Sequence, residues 1–128
     1  MYLLFISLIF NLTFEDNQWV SYFENDQIEI SYKVTTCEYK KYHIIDEYYL
    51  IKIKNKTSET LVINFHKGNQ TVENDEDKIA FVLKSKEIKE GSCSNSLGLN
   101  IFKKKLLGQN KISPVNFNLS NIKIIEVY

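Results

Sequence analysis

Between Tyr48 and Phe65 the chain reads YYLIKIKNKTSETLVINF, and its apolar residues recur at every second position. Tyr49, Ile51 and Ile53 alternate with Leu50, Lys52 and Lys54, and Leu61, Ile63 and Phe65 alternate with Val62 and Asn64. A period of two puts successive side chains on opposite faces of an extended strand, so each run has one apolar face that must be covered. The polar cluster Asn55-Lys56-Thr57-Ser58-Glu59 between them suits a chain reversal. The expectation is an antiparallel hairpin with both apolar rows on one side. A lone hairpin is marginal in water, so the rest of the chain must pack on it.

The same alternation recurs elsewhere. Gln27–Thr36 carries Ile28, Ile30, Tyr32 and Val34 inward and Glu29, Ser31 and Lys33 outward, with the strand ending at Cys37. Glu38–Glu47 is polar and reads as the longest loop of the first half. Ile79, Phe81 and Leu83, then Leu97, Leu99 and Ile101, then Val115, Phe117 and Leu119 repeat the pattern. From Asn121 to Tyr128 the parity switches, with Ile122 and Ile124 followed by Ile125 and Val127, which predicts a bulge or burial on both faces. Trp19, the one tryptophan, is expected as a packing anchor in the core or at its rim. Turn signals at Glu24-Asn25-Asp26, His66–Gln70, Glu90-Gly91 and Gly108–Asn110 separate these runs. Seven or eight short strands without a helical period predict an all-β antiparallel sandwich, in preference to a barrel. At 128 residues the chain has room for one core of ordinary size, placed at 15–128.

Two pieces carry a resemblance. Ile51–Phe65 with its Asn-x-Thr turn, and the later run FVLKSKEIKEG from Phe81, are similar to strand pairs of small extracytoplasmic sandwich modules. On them the chain resembles the immunoglobulin-like group in the broad sense, which implies an immunoglobulin-like β-sandwich.

Residues 1–14, MYLLFISLIFNLTF, contain an apolar run from Tyr2 to Phe10 broken only by Ser7. It is too short to span a bilayer and has the length of a leader core, although it lacks a basic start and small residues for cleavage. Export is expected, with a buried first element of the domain as the alternative. Two cysteines in an exported domain most simply form one disulfide, Cys37 to Cys93; in a reducing compartment they would be free thiols. The rival reading makes Cys37 a nucleophile served by His43 or His66, but no nucleophile signature surrounds either cysteine.

Sixteen acidic residues balance sixteen basic ones, and every basic residue is lysine. A neutral chain without the bidentate fork of arginine carries no footprint for nucleic acid. The two histidines match no zinc spacing, and the acidic run Glu73–Asp77 lacks the glycine and ligand pattern of an EF-hand calcium loop. Lys103-Lys104-Lys105 could touch anionic lipid or polyanions, but three lysines at a strand end read first as protection of a sheet edge. Asn-x-Ser/Thr sequons begin at Asn11, Asn55, Asn69 and Asn118 and matter only in a glycosylating pathway.

The expected function is therefore a small exported binding or accessory module, secreted or held in the periplasm or cell envelope. It has no catalytic centre, cofactor or metal, and no membrane span once the leader is removed. Its partner would be a protein or an envelope component, met by the loops Glu38–Asp46 and Gly68–Asp77. The alternative is an inhibitor or immunity-type protein that blocks one enzyme. An enzyme would have to use His43, Asp46, Glu47 and His66.

Overall fold

The computed structural model describes residues 18–68, 78–94, 97–107 and 114–127. The expectations for residues 1–14, for the loop 69–77 with its acidic run and for the turn Gly108–Asn110 lie outside them. The described residues form eight strands in order: β1 (Val20–Glu24), β2 (Ile28–Tyr39), β3 (Ile44–Asn55), β4 (Thr60–Lys67), β5 (Lys78–Leu83), β6 (Ile88–Glu90), β7 (Asn100–Leu107) and β8 (Leu119–Val127). All pairings are antiparallel. The first sheet runs β1-β2-β3, with β6 and β7 sharing the far edge of β3; the second runs β5-β4-β8. The protein is thus all-β, built from two antiparallel sheets.

The expected hairpin from Tyr48 to Phe65 is corrected: β3 and β4 do not pair but lie in different sheets. Ile51 and Ile53 meet Leu61, Ile63 and Phe65 across the gap between the sheets, in one buried cluster with Ile28, Ile30, Leu83, Leu99 and Leu119. Alternation dictates which face is apolar, and an arch satisfies it as well as a hairpin does. What selects the arch is Asn55. Its side chain is wholly buried, and its Nδ2 donates to the carbonyls of Glu59 (2.7 Å), Lys84 (2.9 Å) and Leu83 (3.2 Å). Its Oδ1 accepts from Thr57 N and Thr57 Oγ1, both at 2.8 Å. One amide therefore fixes both the β3–β4 arch and the start of the β5–β6 turn, and leaves no buried polar atom of its own unpaired.

The long partner strands β2 and β3 also extend further than expected at one end. Instead of a loop over Glu38–Glu47, β2 continues to Tyr39 and β3 starts at Ile44, paired in unbroken register from Ile28 opposite Asn55 to Tyr39 opposite Ile44. Only a 3-10 turn, Lys40–Tyr42, and His43 in the left-handed region (φ 52°) connect them. The polar residues belong in strands because β7 supplies partners: Asp46 lies opposite Lys105 and Glu47 opposite Lys104, and the Glu47 carboxylate meets Lys103 (3.5 Å) and Lys104 (3.6 Å). Leu97 and Leu99 precede β7 rather than extend it, and residues 114–118 run to β8 without ladder pairing. The bulge or two-sided burial expected at the parity switch is corrected: the register of β8 shifts earlier, between Ser120 and Lys123, with Asn121 at φ 54°, and pairing is regular from Lys123 to Val127. Ile122 and Ile124 then pack on the core while Ile125 and Val127 face solvent.

The outer face of the first sheet is partly roofed. Ile51 accepts a hydrogen bond from Gly91 N (2.8 Å) and donates one to Leu99 O (2.9 Å), so β6 and β7 leave and rejoin the same strand. Just after β6, Cys93 is on the outer face, bonded to Cys37 of β2 (S–S 2.01 Å, Cα–Cα 5.6 Å). The bridge therefore lies within one layer, joining β2 to the β6–β7 connection. Trp19 is also on this outer face, with the ammonium groups of Lys33 and Lys52 at 4.8 and 4.6 Å from its ring, rather than in the core.

Candidate functional site

An extended strand of twelve residues spans about 40 Å, and one of eight about 26 Å. The β2–β3 ribbon therefore outruns the second sheet. Its near part supplies Ile28, Ile30, Ile51 and Ile53 to the core. Next come Tyr32 and Tyr49, closed off by Phe117, whose ring stacks on Tyr32 at 4.1 Å and meets Tyr49 edge-on at 5.4 Å. The Tyr49 hydroxyl donates to Val115 O at 2.7 Å, which fixes residues 114–118 over the end of the core. Beyond that lid the ribbon projects, and among the described residues β7 is the strand beside it.

At the far end Ile45 pairs with Leu107, so the turn and the end of β7 form one surface. Glu38, Tyr39, His43, Ile44, Ile45 and Leu107 line an open hollow of about 270 Å³. Leu107, 51% exposed, is part of its lining, and Tyr42 in the turn (65% exposed) and Leu106 in β7 (45%) add exposed apolar side chains at the same end of the ribbon. Lys40, Lys41 and Lys105 are exposed around them, with the Lys41 ammonium 5.7 Å from the Tyr42 ring. A clustered, protruding apolar group rimmed by charge is the kind of exposed surface that marks an interaction site. The backbone of His43, in a conformation that non-glycine residues rarely adopt, sharpens the turn that presents it.

The residues proposed for chemistry do not converge. His43 is exposed at this apex, whereas His66 is buried on β4 of the other sheet. Asp46 and Glu47 are adjacent in β3 and so point to opposite faces. Asp46 is 6% exposed, opposite Cys37 on the roofed outer face, and its Oδ1 has no hydrogen-bond partner. Glu47 is on the inner-face side with its two lysines. Tyr48, on the Asp46 face, has its phenol raised above the ordinary value, by burial first and then by Tyr39 and Asp46. Tyr49 is raised as well, by burial and then by Tyr32 and Glu47. Among the described residues no group of three or more His, Cys, Asp or Glu side chains is placed to hold a metal. Nor is any helix among them long and apolar enough to cross a membrane.

Of the two loops expected to bind, the first is instead the paired ends of β2 and β3 with the short turn between them; of the second, only Gly68 is described. Sequence reasoning placed Tyr42 within the binding segment Glu38–Asp46 but left Leu106 and Leu107 out of the site. The signal present was a pair of leucines at the end of a lysine run, placed beside Tyr42 only by the β3–β7 register. The chain matches no protein-family model, no curated protein and no solved structure.

Proposed function

We propose that the protein is a small exported binding module, immunoglobulin-like only in the broad sense of two antiparallel sheets around one core, and that the β2–β3–β7 apex is its binding surface. The observation that carries this reading is the projection of exposed Tyr42, Leu106 and Leu107 beyond the lid formed by Phe117. Keeping three large apolar side chains in water on a rigid, strand-borne apex has no counterpart in stabilising the core. The bonded cysteine pair supports an oxidising compartment, which is secreted or envelope space.

Two measurements test it. Intact mass of the protein from its native source should show two hydrogens missing from the thiols; a full complement of thiol hydrogens would remove the support for export. Capture from native extract with the wild type and with a Tyr42→Ser/Leu107→Ser variant should differ in what is retained. Identical retention would reject the apex as the binding surface. Stoichiometric recovery of a single enzyme, lost in the variant, would instead favour the inhibitor reading.

A further inference from the structure

Resting on that reading of the apex, we infer that its partner is the anionic headgroup layer of a lipid bilayer, which the apex enters without spanning it. The composition of the surface decides between partner classes. Protein–protein interfaces are depleted in lysine and draw on arginine, whereas this chain has no arginine and rims its apolar apex with Lys40, Lys41 and Lys105. Lysine around exposed tyrosine and leucine is the arrangement that suits a membrane interface: the aliphatic and aromatic groups enter the boundary of headgroups and acyl chains, and the ammonium groups remain at the phosphates.

Charge bookkeeping at the apex supports it. Lys103 and Lys104 share the one carboxylate of Glu47, Asp46 lies opposite Lys105, and Glu38 is exposed at the end of β2. Lys40, Lys41, Lys103, Lys104 and Lys105 thus outnumber Glu38, Asp46 and Glu47 and leave a local positive excess on a chain whose formal charge is zero. The geometry fits as well. Tyr42, Lys40 and Lys41 are in the turn itself, and the β3–β7 register brings Leu107 opposite Ile45 and Lys105 opposite Asp46, so exposed apolar and cationic side chains occupy the same end of the ribbon.

The test uses the full chain with vesicles of phosphatidylcholine alone and of phosphatidylcholine with about one-third phosphatidylglycerol. Sedimentation should show binding to the anionic vesicles only, weakened by raising salt. Lys40→Ala and Lys41→Ala should each weaken it about fivefold, and Tyr42→Ser or Leu107→Ser should weaken it further. A Trp19→Phe/Tyr42→Trp variant should have its fluorescence quenched by lipids brominated along the acyl chain. Absence of wild-type binding to anionic vesicles would overturn the inference. So would equal binding by wild type and apex variants, or quenching of native Trp19 without quenching in the Tyr42→Trp variant, since these locate attachment elsewhere on the chain. If vesicles fail while the Tyr42→Ser/Leu107→Ser variant still loses a partner from native extract, the lipid assignment falls and the apex stands. If both fail, both readings fall.

Discussion

The hydroxyl of Tyr22 lies 3.0 Å from both the carbonyl oxygen and the amide nitrogen of Leu119, donating to the first and accepting from the second. Tyr22 belongs to the edge strand β1 of the first sheet and Leu119 opens β8 of the second, so one phenol stitches the two layers. Tyr22→Phe keeps the edge-on contact with Phe117 and removes only the stitch. Urea unfolding of this variant should show a loss of about 1–2 kcal/mol, with an unchanged dependence on denaturant.

Asn55 should be far less tolerant. Asn55→Ala leaves the carbonyls of Glu59, Leu83 and Lys84 without their shared donor at a buried corner, and the expected loss is about 3–4 kcal/mol. Asn55→Asp should do no better, because a carboxylate would face those same carbonyls. In a glycosylating host, peptide mapping of the folded protein should find Asn55 unmodified although it begins a sequon, since its amide is inside the corner.

Removing the Cys37–Cys93 bond opens a connection with a sequence separation of 56. The double variant Cys37→Ser/Cys93→Ser should lose about 4 kcal/mol if the unfolded chain is freed as the loop-entropy model describes. Thermal unfolding in the presence and absence of reductant should give matching decreases for the wild type, and none for the variant.

Gly91 is set by a close approach rather than by its own dihedrals. A Cβ placed there would come within 1.8 Å of Leu99 O, and both residues hold the two backbone bonds of Ile51. Gly91→Ala should cost at least about 2 kcal/mol by prising β6 away from β7. Amide hydrogen exchange at Ile51 should accelerate in this variant, an effect that a substitution at the exposed Ser92 should not reproduce.

The raised phenols of Tyr48 and Tyr49 give the alkaline limb of stability its direction. Each holds its proton more firmly in the folded protein than at the ordinary value of 10.0. The associated stability is therefore complete below pH 10 and declines as the pH climbs through 10 and above, where the unfolded chain ionises first. Urea midpoints measured from pH 8 to 11 should fall less steeply for Tyr48→Phe than for the wild type. Tyr49→Phe should also flatten the decline, but from a lower start, because it gives up the bond to Val115 O.

The faces of the strands were legible in the sequence; their partners were not. Ile28 and Ile30, Ile51 and Ile53, Leu61, Ile63 and Phe65 are all buried as their alternation required. Alternation carries no information on whether Leu61 pairs beside Ile53 or faces it across a core, and that choice rests on the hydrogen bonds of one asparagine. Polar runs misled for a related reason. Glu38–Glu47 looked like a loop because charge in sequence signals solvent, whereas Glu47 is in a strand whose neighbour supplies Lys103 and Lys104. The apex is half legible: the segment Glu38–Asp46 stands out in the sequence, but Leu106 and Leu107 reach it only through a pairing some sixty residues away, as the Ile45–Leu107 register shows.

The edge beside β3 is filled by two short pieces that part at Gly91 and Leu99, and the β7 piece carries two shifts of register and three lysines. An incoming strand from another molecule finds there neither a long straight row of free amides and carbonyls nor a neutral surface on which to stack. The break between β6 and β7, which carries Cys93, therefore has a second effect beyond roofing the sheet: it makes this border a poor seed for fibrils.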